Sequence, residues 1–167
     1  MSITQEELKS LLHYNHETGI FTWKEYRGGW AYKDSIAGRE NTQGYIDIMV
    51  KGRRYKAHRL VWLYLYGAWP EKEIDHINGV TRDNRLCNLR EATHYENSQN
   101  TKHFSNNTSG HKGVSWHKRK KKWEVHIGVN GKLKYIGAYT DIEEAKEAYI
   151  KAKAEFHTFN ATDRGEQ

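Results

Sequence analysis

Short runs of apolar residues, separated by polar turns, divide the first part of the chain into small elements. Thr4 and Glu7 form a capping-box pattern that predicts a first helix ending near His13. Residues 59–66 are an apolar run closed by Gly67, which predicts a wholly buried helix. Segments rich in β-branched and aromatic residues predict a small antiparallel sheet from residues 20–23, 45–50 and 53–57.

The second part of the chain repeats this alternation on a smaller scale. Residues 73–77 and 88–92 predict two strands around a polar loop, and Thr93 with Glu96 starts a helix that reaches about Asn100. Three further strands are predicted at residues 114–116, 123–129 and 133–136. A last helix is predicted with Thr140 and Glu143 as its cap, and its apolar positions are Ile142, Ala145, Tyr149, Ala152 and Phe156.

These elements predict the α+β fold class, with three structured parts. We expect a small N-terminal β-rich region, a central ββα unit, and a C-terminal three-stranded antiparallel sheet packed on one helix. The predicted boundaries are 1–57 for the β-rich extension, 58–100 for the ββα unit, 101–111 for a linker, 112–160 for the C-terminal domain and 161–167 for a tail.

The positive charge of the chain is concentrated near its C-terminus. The 167 residues carry a net charge of +6, and residues 112–134 hold 8 Lys and Arg against 1 acidic residue. Such clustering indicates a polyanionic partner. The single cysteine excludes an internal disulfide, and we expect it to be buried. Neither a signal peptide nor an apolar run of membrane-spanning length occurs, which predicts a cytoplasmic protein without a membrane partner.

Asp75, His76 and Asn97 carry the strongest chemical signal. Asp75 and Asn97 offer hard oxygen ligands suited to one Mg²⁺ or Mn²⁺ ion, and the pKa of an ordinary histidine, about 6.5, suits His76 to proton transfer. Neighbouring strand residues point to opposite faces, so one of Asp75 and His76 ligates and the other acts on water. Cleavage of a phosphodiester needs both functions.

Residues 58–100 resemble the HNH nucleases of phage homing endonucleases, a ββα-metal (His-Me finger) group. The resemblance rests on Asp75-His76-Ile77-Asn78-Gly79, on Asn88-Leu89-Arg90 and on Glu96-Asn97. It implies that Asp75 and Asn97 are metal ligands, that His76 is the general base, and that Asn88 holds the loop between the strands. Other histidines are open: His58 and His94 either orient the site or are packed, with packing favoured.

Residues 110–160 resemble the APETALA-type, ethylene-response-factor DNA-binding domain of plant transcription factors and phage endonucleases. The matching residues include Gly113-Val114, Lys122-Trp123, Gly131-Lys132 and Tyr135-Ile136-Gly137. Alternation along the middle strand is expected to send Trp123, Val125 and Ile127 to the helix-packed core, with Glu124 and His126 facing outward. The resemblance implies major-groove contacts by Lys112, Ser115, His117, Arg119, His126 and Tyr135, and Lys121 belongs to the same basic loop. The alternative is an ordinary solvated lysine loop.

We therefore interpret the chain as a metal-dependent endonuclease that acts on double-stranded DNA as a monomer, without a small-molecule cofactor. Arg53 and Arg54 either clamp DNA near the active site or belong to an exposed edge strand. If the chain is phage-encoded, it would act in the host cytoplasm. The alternative from another class is a catalytically inactive, sequence-specific DNA-binding regulator. An RNA-binding module is a third option, which no RNA-recognition signature supports.

Overall fold

A computed structural model describes residues 3–99 and 107–157, and the chain forms two compact units, residues 1–92 and 93–167. The first unit contains two helices and seven strands in its described part. They are α1 (Gln5–Leu11), β1 (Leu12–Asn15), β2 (Ile20–Trp23), β3 (Arg39–Glu40), β4 (Ile46–Val50), β5 (Arg53–Lys56), α2 (Ala57–Tyr66), β6 (Glu73–His76) and, after a 3-10 turn at Leu86–Asn88, β7 (Leu89–Ala92). Because the predicted tail, residues 161–167, and most of the predicted linker lie outside the described residues, both stay predictions.

Three antiparallel sheets build the first unit. β1 pairs with β2, β4 lies between β3 and β5, and β6 pairs with β7. One hydrophobic core connects them, with Leu8, Phe21, Ile48 and Leu60 almost fully buried, and Ile74 of β6 belongs to the same core. The N-terminal β-rich region therefore packs together with the β6–β7 pair, and the predicted boundary at 57–58 falls inside this unit.

The second unit contains α3 (His94–Gln99), β8 (Val114–His117), β9 (Lys122–Val129), β10 (Lys132–Tyr139) and α4 (Ile142–Phe156). β9 lies between β8 and β10 in an antiparallel sheet, and Val125 and Ile127 are buried against α4 residues Ala145 and Tyr149. This arrangement confirms the predicted fold class. Gly113 has a φ of +73°, and a Cβ there would lie 2.2 Å from the Tyr149 ring.

Several element predictions are confirmed by the structure. The capping boxes of Thr4 with Glu7 and of Thr93 with Glu96 are both formed, and Gly67 ends α2 in the left-handed conformation. Each of these signals depends on hydrogen bonding or backbone conformation within a few residues, so it can be recognised from the sequence alone.

Other predictions are wrong. Asp141, rather than Thr140, caps α4, since its carboxylate accepts from the Glu143 and Glu144 amides. Helix α2 is not wholly buried, because Tyr66 at its end is 57% exposed. The cysteine, Cys87, is exposed beside the polar loop. Pairing with a neighbouring strand explains the strands that were missed or shortened: β1 pairs with β2, β3 with β4, and β10 extends to Tyr139 through a bulge.

No helix in the two described ranges has both the length and the apolar character required to cross a membrane.

Candidate functional site

Asp75 lies on β6 opposite Arg90 of β7, and the two side chains form a buried ion pair. The Asp75 side chain is 6% exposed, and its Oδ2 accepts from Arg90 Nε at 2.9 Å and is 2.8 Å from Arg90 Nη2. Two of the three guanidinium nitrogens therefore contact the same carboxylate oxygen, and the positive charge of Arg90 balances the negative charge of Asp75. A carboxylate oxygen is the type of ligand that Mg²⁺ and Mn²⁺ prefer, and Arg90 contacts the Oδ2 atom of this carboxylate.

His76 is buried next to Asp75, at the end of β6. Its Nε2 lies 3.3 Å from Asn84 Oδ1, and the Asn84 amide nitrogen donates to the Arg82 carbonyl at 3.2 Å. This amide orientation favours the tautomer in which Nε2 carries the hydrogen and Nδ1 is the basic nitrogen. Burial lowers the pKa of His76, which keeps the imidazole neutral at neutral pH. A neutral imidazole is the form that accepts a proton from water.

Two aromatic rings surround the His76 imidazole. His58, in the first turn of α2, meets it edge to face at 5.1 Å between ring centres, and Tyr45 lies 5.9 Å away. His58 is buried, which confirms that it is packed, and burial lowers its pKa to about 3. His94, by contrast, is exposed rather than packed. Tyr45 was not predicted to belong to the site, and it reaches His76 from the loop between β3 and β4.

Asn88 ties together the loop that follows His76. Its Oδ1 accepts from the Asn78 amide at 2.9 Å, its Nδ2 donates to the Asp83 carbonyl at 2.8 Å, and its own carbonyl accepts from Ile77. The Asn78 side chain donates to the Asp83 carboxylate at 2.9 Å. These bonds connect the two ends of the loop, which is the geometry expected of a residue that holds it.

Asn97 lies on α3 in the second unit, whereas Asp75 and His76 belong to the first. Its assignment as a ligand therefore stays a prediction. Within residues 3–99 and 107–157, no group of three or more His, Cys, Asp and Glu side chains is placed to hold a metal ion. The predicted donor set contains only one such residue, Asp75, so this finding does not test it.

The face of the C-terminal sheet opposite α4 carries polar and aromatic side chains. Strand register places Ser115 opposite Glu124, and His126 opposite Tyr135 with their rings 5.3 Å apart. The loop between β8 and β9 presents Arg119 and Lys121 to solvent, while His117 Nδ1 accepts from the Lys120 amide at 3.2 Å. Lys112 differs from the others, because its Nζ lies 3.3 Å from the Gln99 carbonyl.

Glu124 was expected on this outer face, and its pairing was not foreseen. Its carboxylate lies 2.7 Å from Lys120 Nζ, which lowers the pKa of Glu124. This ion pair therefore connects the lysine-rich loop between β8 and β9 to strand β9. On the first unit, Arg53 and Arg54 are exposed on β5 opposite Val50 and Met49.

Family comparisons agree with this geometry. The model of the HNH endonuclease family matches residues 55–99, and Protein 3.8 of Escherichia phage T7 is 43% identical over 82 residues, which is 47% of this chain and 68% of that protein. This chain belongs to the HNH endonuclease family. The AP2 domain model matches residues 109–157 of this HNH family member, so both resemblances found in its sequence are confirmed.

Plant transcription factors match this HNH family member over a small part of their own length. The Arabidopsis thaliana ethylene-responsive transcription factor WRI1 is 33% identical over 92 residues, which is 54% of this chain and 20% of that protein. The AP2-like factor CRL5 of Oryza sativa subsp. japonica is 30% identical over 134 residues, which is 74% of this chain and 19% of that protein. No solved structure matches the chain.

Proposed function

We propose that the chain is a metal-dependent endonuclease that hydrolyses a phosphodiester bond of double-stranded DNA, as homing endonucleases do. The observation that carries the proposal is the adjacent pair of a buried, oriented carboxylate, Asp75, and a buried imidazole, His76, whose lowered pKa favours the neutral form. The HNH and AP2 matches support a nuclease unit joined to a DNA-binding domain.

In the proposed reaction, His76 Nδ1 takes a proton from water as the water oxygen attacks phosphorus. The bond to one ester oxygen breaks, and that oxygen leaves as an alcohol after protonation. Asp75 and Asn97 would hold one Mg²⁺ or Mn²⁺ ion, which when bound would stabilise charge on the phosphate and the leaving oxygen. Asn84 keeps His76 in the required tautomer, and Asn88 keeps the loop beside it in place.

Target recognition is proposed for the AP2 domain. Ser115, His126 and Tyr135 share the outer face of the sheet, and Arg119 and Lys121 lie in the adjoining loop. A sheet face with this chemistry can contact base edges in the major groove, while the basic loop binds phosphates. A chain with one such site would nick one strand as a monomer.

A plasmid-nicking assay tests the catalytic proposal. We expect His76→Ala to abolish Mg²⁺- or Mn²⁺-dependent nicking of supercoiled DNA while DNA binding is retained. His16→Ala is the matched control, because His16 is exposed in the turn between β1 and β2. We expect EDTA, Asp75→Ala and Asn97→Ala also to remove activity. Wild-type nicking by His76→Ala would exclude its role as the base.

One observation favours a second candidate function, a catalytically inactive regulator that binds DNA. Asp75 is already ion-paired with Arg90, so the carboxylate is neutralised without a metal. The same assay distinguishes the two candidates, since a regulator binds the plasmid and leaves it supercoiled in both metals.

A further inference from the structure

An exposed aromatic loop lies on the first unit, on the N-terminal side of the nuclease strands. Trp30 is 91% exposed at its tip, and Tyr26 and Tyr32 stack on each other at 5.5 Å between ring centres. Large apolar side chains exposed to this extent commonly mark a binding surface. The chemistry proposed above for this unit uses none of the three.

Backbone hydrogen bonds close the turn that carries Trp30. The Ala31 amide donates to the Gly28 carbonyl at 3.1 Å, and the Arg27 amide donates to the Ala31 carbonyl at 2.9 Å. Gly28 and Gly29 both have positive φ angles, +97° and +56°, which allow the tight reversal before the tryptophan. The indole is therefore presented on a closed turn rather than on a trailing segment.

Trp30 borders a groove of about 750 Å³, which we call the Trp30 groove. Its principal lining residues are Trp23, Trp30, Ile36, Met49, Arg39 and Arg54. Two acidic residues, Glu40 and Asp47, also line the groove, and Asp47 is paired with Lys56 at 3.0 Å. Arginines beside an exposed indole are the combination that recognises a polyanion carrying stacked aromatic bases.

Residues 41–45 connect the lining of the Trp30 groove with the candidate active site of the same unit. Asn41 lines the groove, and its backbone amide donates to the Tyr45 carbonyl at 2.8 Å. The Tyr45 ring packs 5.9 Å from the His76 ring, and the neighbouring Gly44 carbonyl accepts from Thr81 Oγ1 at 2.7 Å. The groove lining and the His76 ring are therefore connected through the segment from Asn41 to Tyr45.

We propose that the Trp30 groove binds DNA flanking the cleaved bond, with the Trp30 indole stacked on a base at an opened base step and with Arg39 and Arg54 bound to phosphates. The inference rests on the proposed function only in taking DNA as the substrate. Insertion of an apolar side chain between base steps is an established way to bend a duplex. This contact gives the N-terminal region a role in positioning DNA at His76.

Binding of random-sequence duplexes by the full-length chain in EDTA tests the proposal without relying on cleavage. We expect Trp30→Ala to weaken binding roughly 5- to 150-fold, as the loss of one stacked base would, and Trp30→Tyr to retain most of the affinity. Arg54→Gln should lower the slope of log affinity against log salt by about 0.9. The matched control is Tyr66→Ala, another exposed aromatic of the first unit outside the groove.

Ultraviolet crosslinking to duplexes that contain 5-iododeoxyuridine, followed by mass spectrometry, locates the contact, and we expect a crosslink at Trp30. Equal binding by Trp30→Ala and Tyr66→Ala, with crosslinks only elsewhere, would overturn the proposal. The proposal would also be overturned if Trp30→Ala bound DNA normally but sedimented as a smaller species than wild type. In that case the Trp30 groove would bind a second copy of this chain rather than DNA. A wild-type chain that crosslinks through Trp30 and never nicks DNA would defeat the catalytic proposal alone.

Discussion

At the scale of single residues, the candidate site depends on keeping ionisable groups in defined charge states. Burial lowers the pKa of His76, and burial together with the neighbouring His76 lowers the pKa of His58 to about 3. Two imidazoles in edge contact would repel each other if both were protonated. Their shared burial therefore favours the base form of His76.

The lowered pKa of His58 predicts a loss of stability in acid. The unfolded chain binds a proton at His58 below a pKa of about 6.5, whereas the folded chain does so only near 3. Unfolding should therefore become easier by about 2 kcal/mol through this group as pH falls from 7 to 5. Urea unfolding at both pH values, on wild type and His58→Phe, measures the difference. Equal pH dependence in the two proteins would contradict the prediction.

The Arg90–Asp75 pair predicts a large effect of a single substitution. Arg90→Met leaves the buried Asp75 carboxylate without its bidentate partner and should lower the free energy of unfolding by about 3 kcal/mol. Arg85→Met is the matched control, because Arg85 pairs with Asp83 at the surface, where the loss should stay below about 1 kcal/mol. Urea unfolding without metal compares them. If Asp75 is a ligand, Mn²⁺ should raise the melting temperature of Arg90→Met more than that of wild type.

At the scale of elements, the turn between β1 and β2 packs closely against the loop between β6 and β7. Gly19 in that turn has a φ of +73°, and a Cβ there would lie 2.4 Å from the Arg85 amide nitrogen and 2.6 Å from the Asn84 carbonyl carbon. Asn84 in turn contacts His76. The backbone of the turn and the orientation of the base are therefore connected through one residue.

Gly19→Ala should reduce both stability and nicking. The left-handed backbone costs roughly 1–2 kcal/mol for alanine, and the contact with Asn84 and Arg85 adds displacement of the loop. Gly52→Ala is the matched control, since Gly52 has a φ of +76° and open space around it. Urea unfolding and plasmid nicking should both show a larger effect at Gly19. Equal effects of the two substitutions would show that the loop accommodates the methyl group.

The sequence predicted those elements whose signals are local. Capping boxes, the Gly67 helix end and the alternation along β9 each depend on residues a few positions apart, and all three are confirmed. Strands β1 and β3 were missed because each is short and defined by a partner strand rather than by its own composition. The α4 cap was assigned one residue early because Thr140 also fits the pattern that Asp141 fulfils.

The candidate site also divides into residues with a recognisable sequence signal and residues that tertiary packing brings to it. Asp75, His76 and Asn88 could be predicted as site residues because they lie in two short motifs with recognisable spacing. Arg90 could have been found from strand register, since β6 and β7 place it directly opposite Asp75. Tyr45 was not identified and His58 was named without its contact, because tertiary packing brings them to His76 from positions 31 and 18 residues earlier in the chain.

At the scale of the whole molecule, the distribution of charge separates binding from chemistry. Residues 112–134 carry 8 Lys and Arg against 1 acidic residue, while residues 1–50 carry 5 against 7. In the loop between β8 and β9, Lys120 forms an ion pair with Glu124, whereas Lys118, Arg119 and Lys121 are exposed. Most of the salt-dependent attraction for DNA should therefore come from the AP2 domain.

Replacing Lys118, Arg119 and Lys121 together by Gln should lower the slope of log affinity against log salt by about 2.7, if each contacts one phosphate. The free energy of unfolding should stay nearly constant, because the three side chains are exposed. Fluorescence anisotropy with duplex DNA over a series of salt concentrations measures the slope. A variant with Lys9, Lys72 and Lys151 replaced by Gln has the same net charge and is the control. General electrostatic attraction depends on net charge, whereas direct phosphate contacts depend on where the charges lie. Equal slopes for the two variants would therefore exclude this loop as a phosphate-binding element.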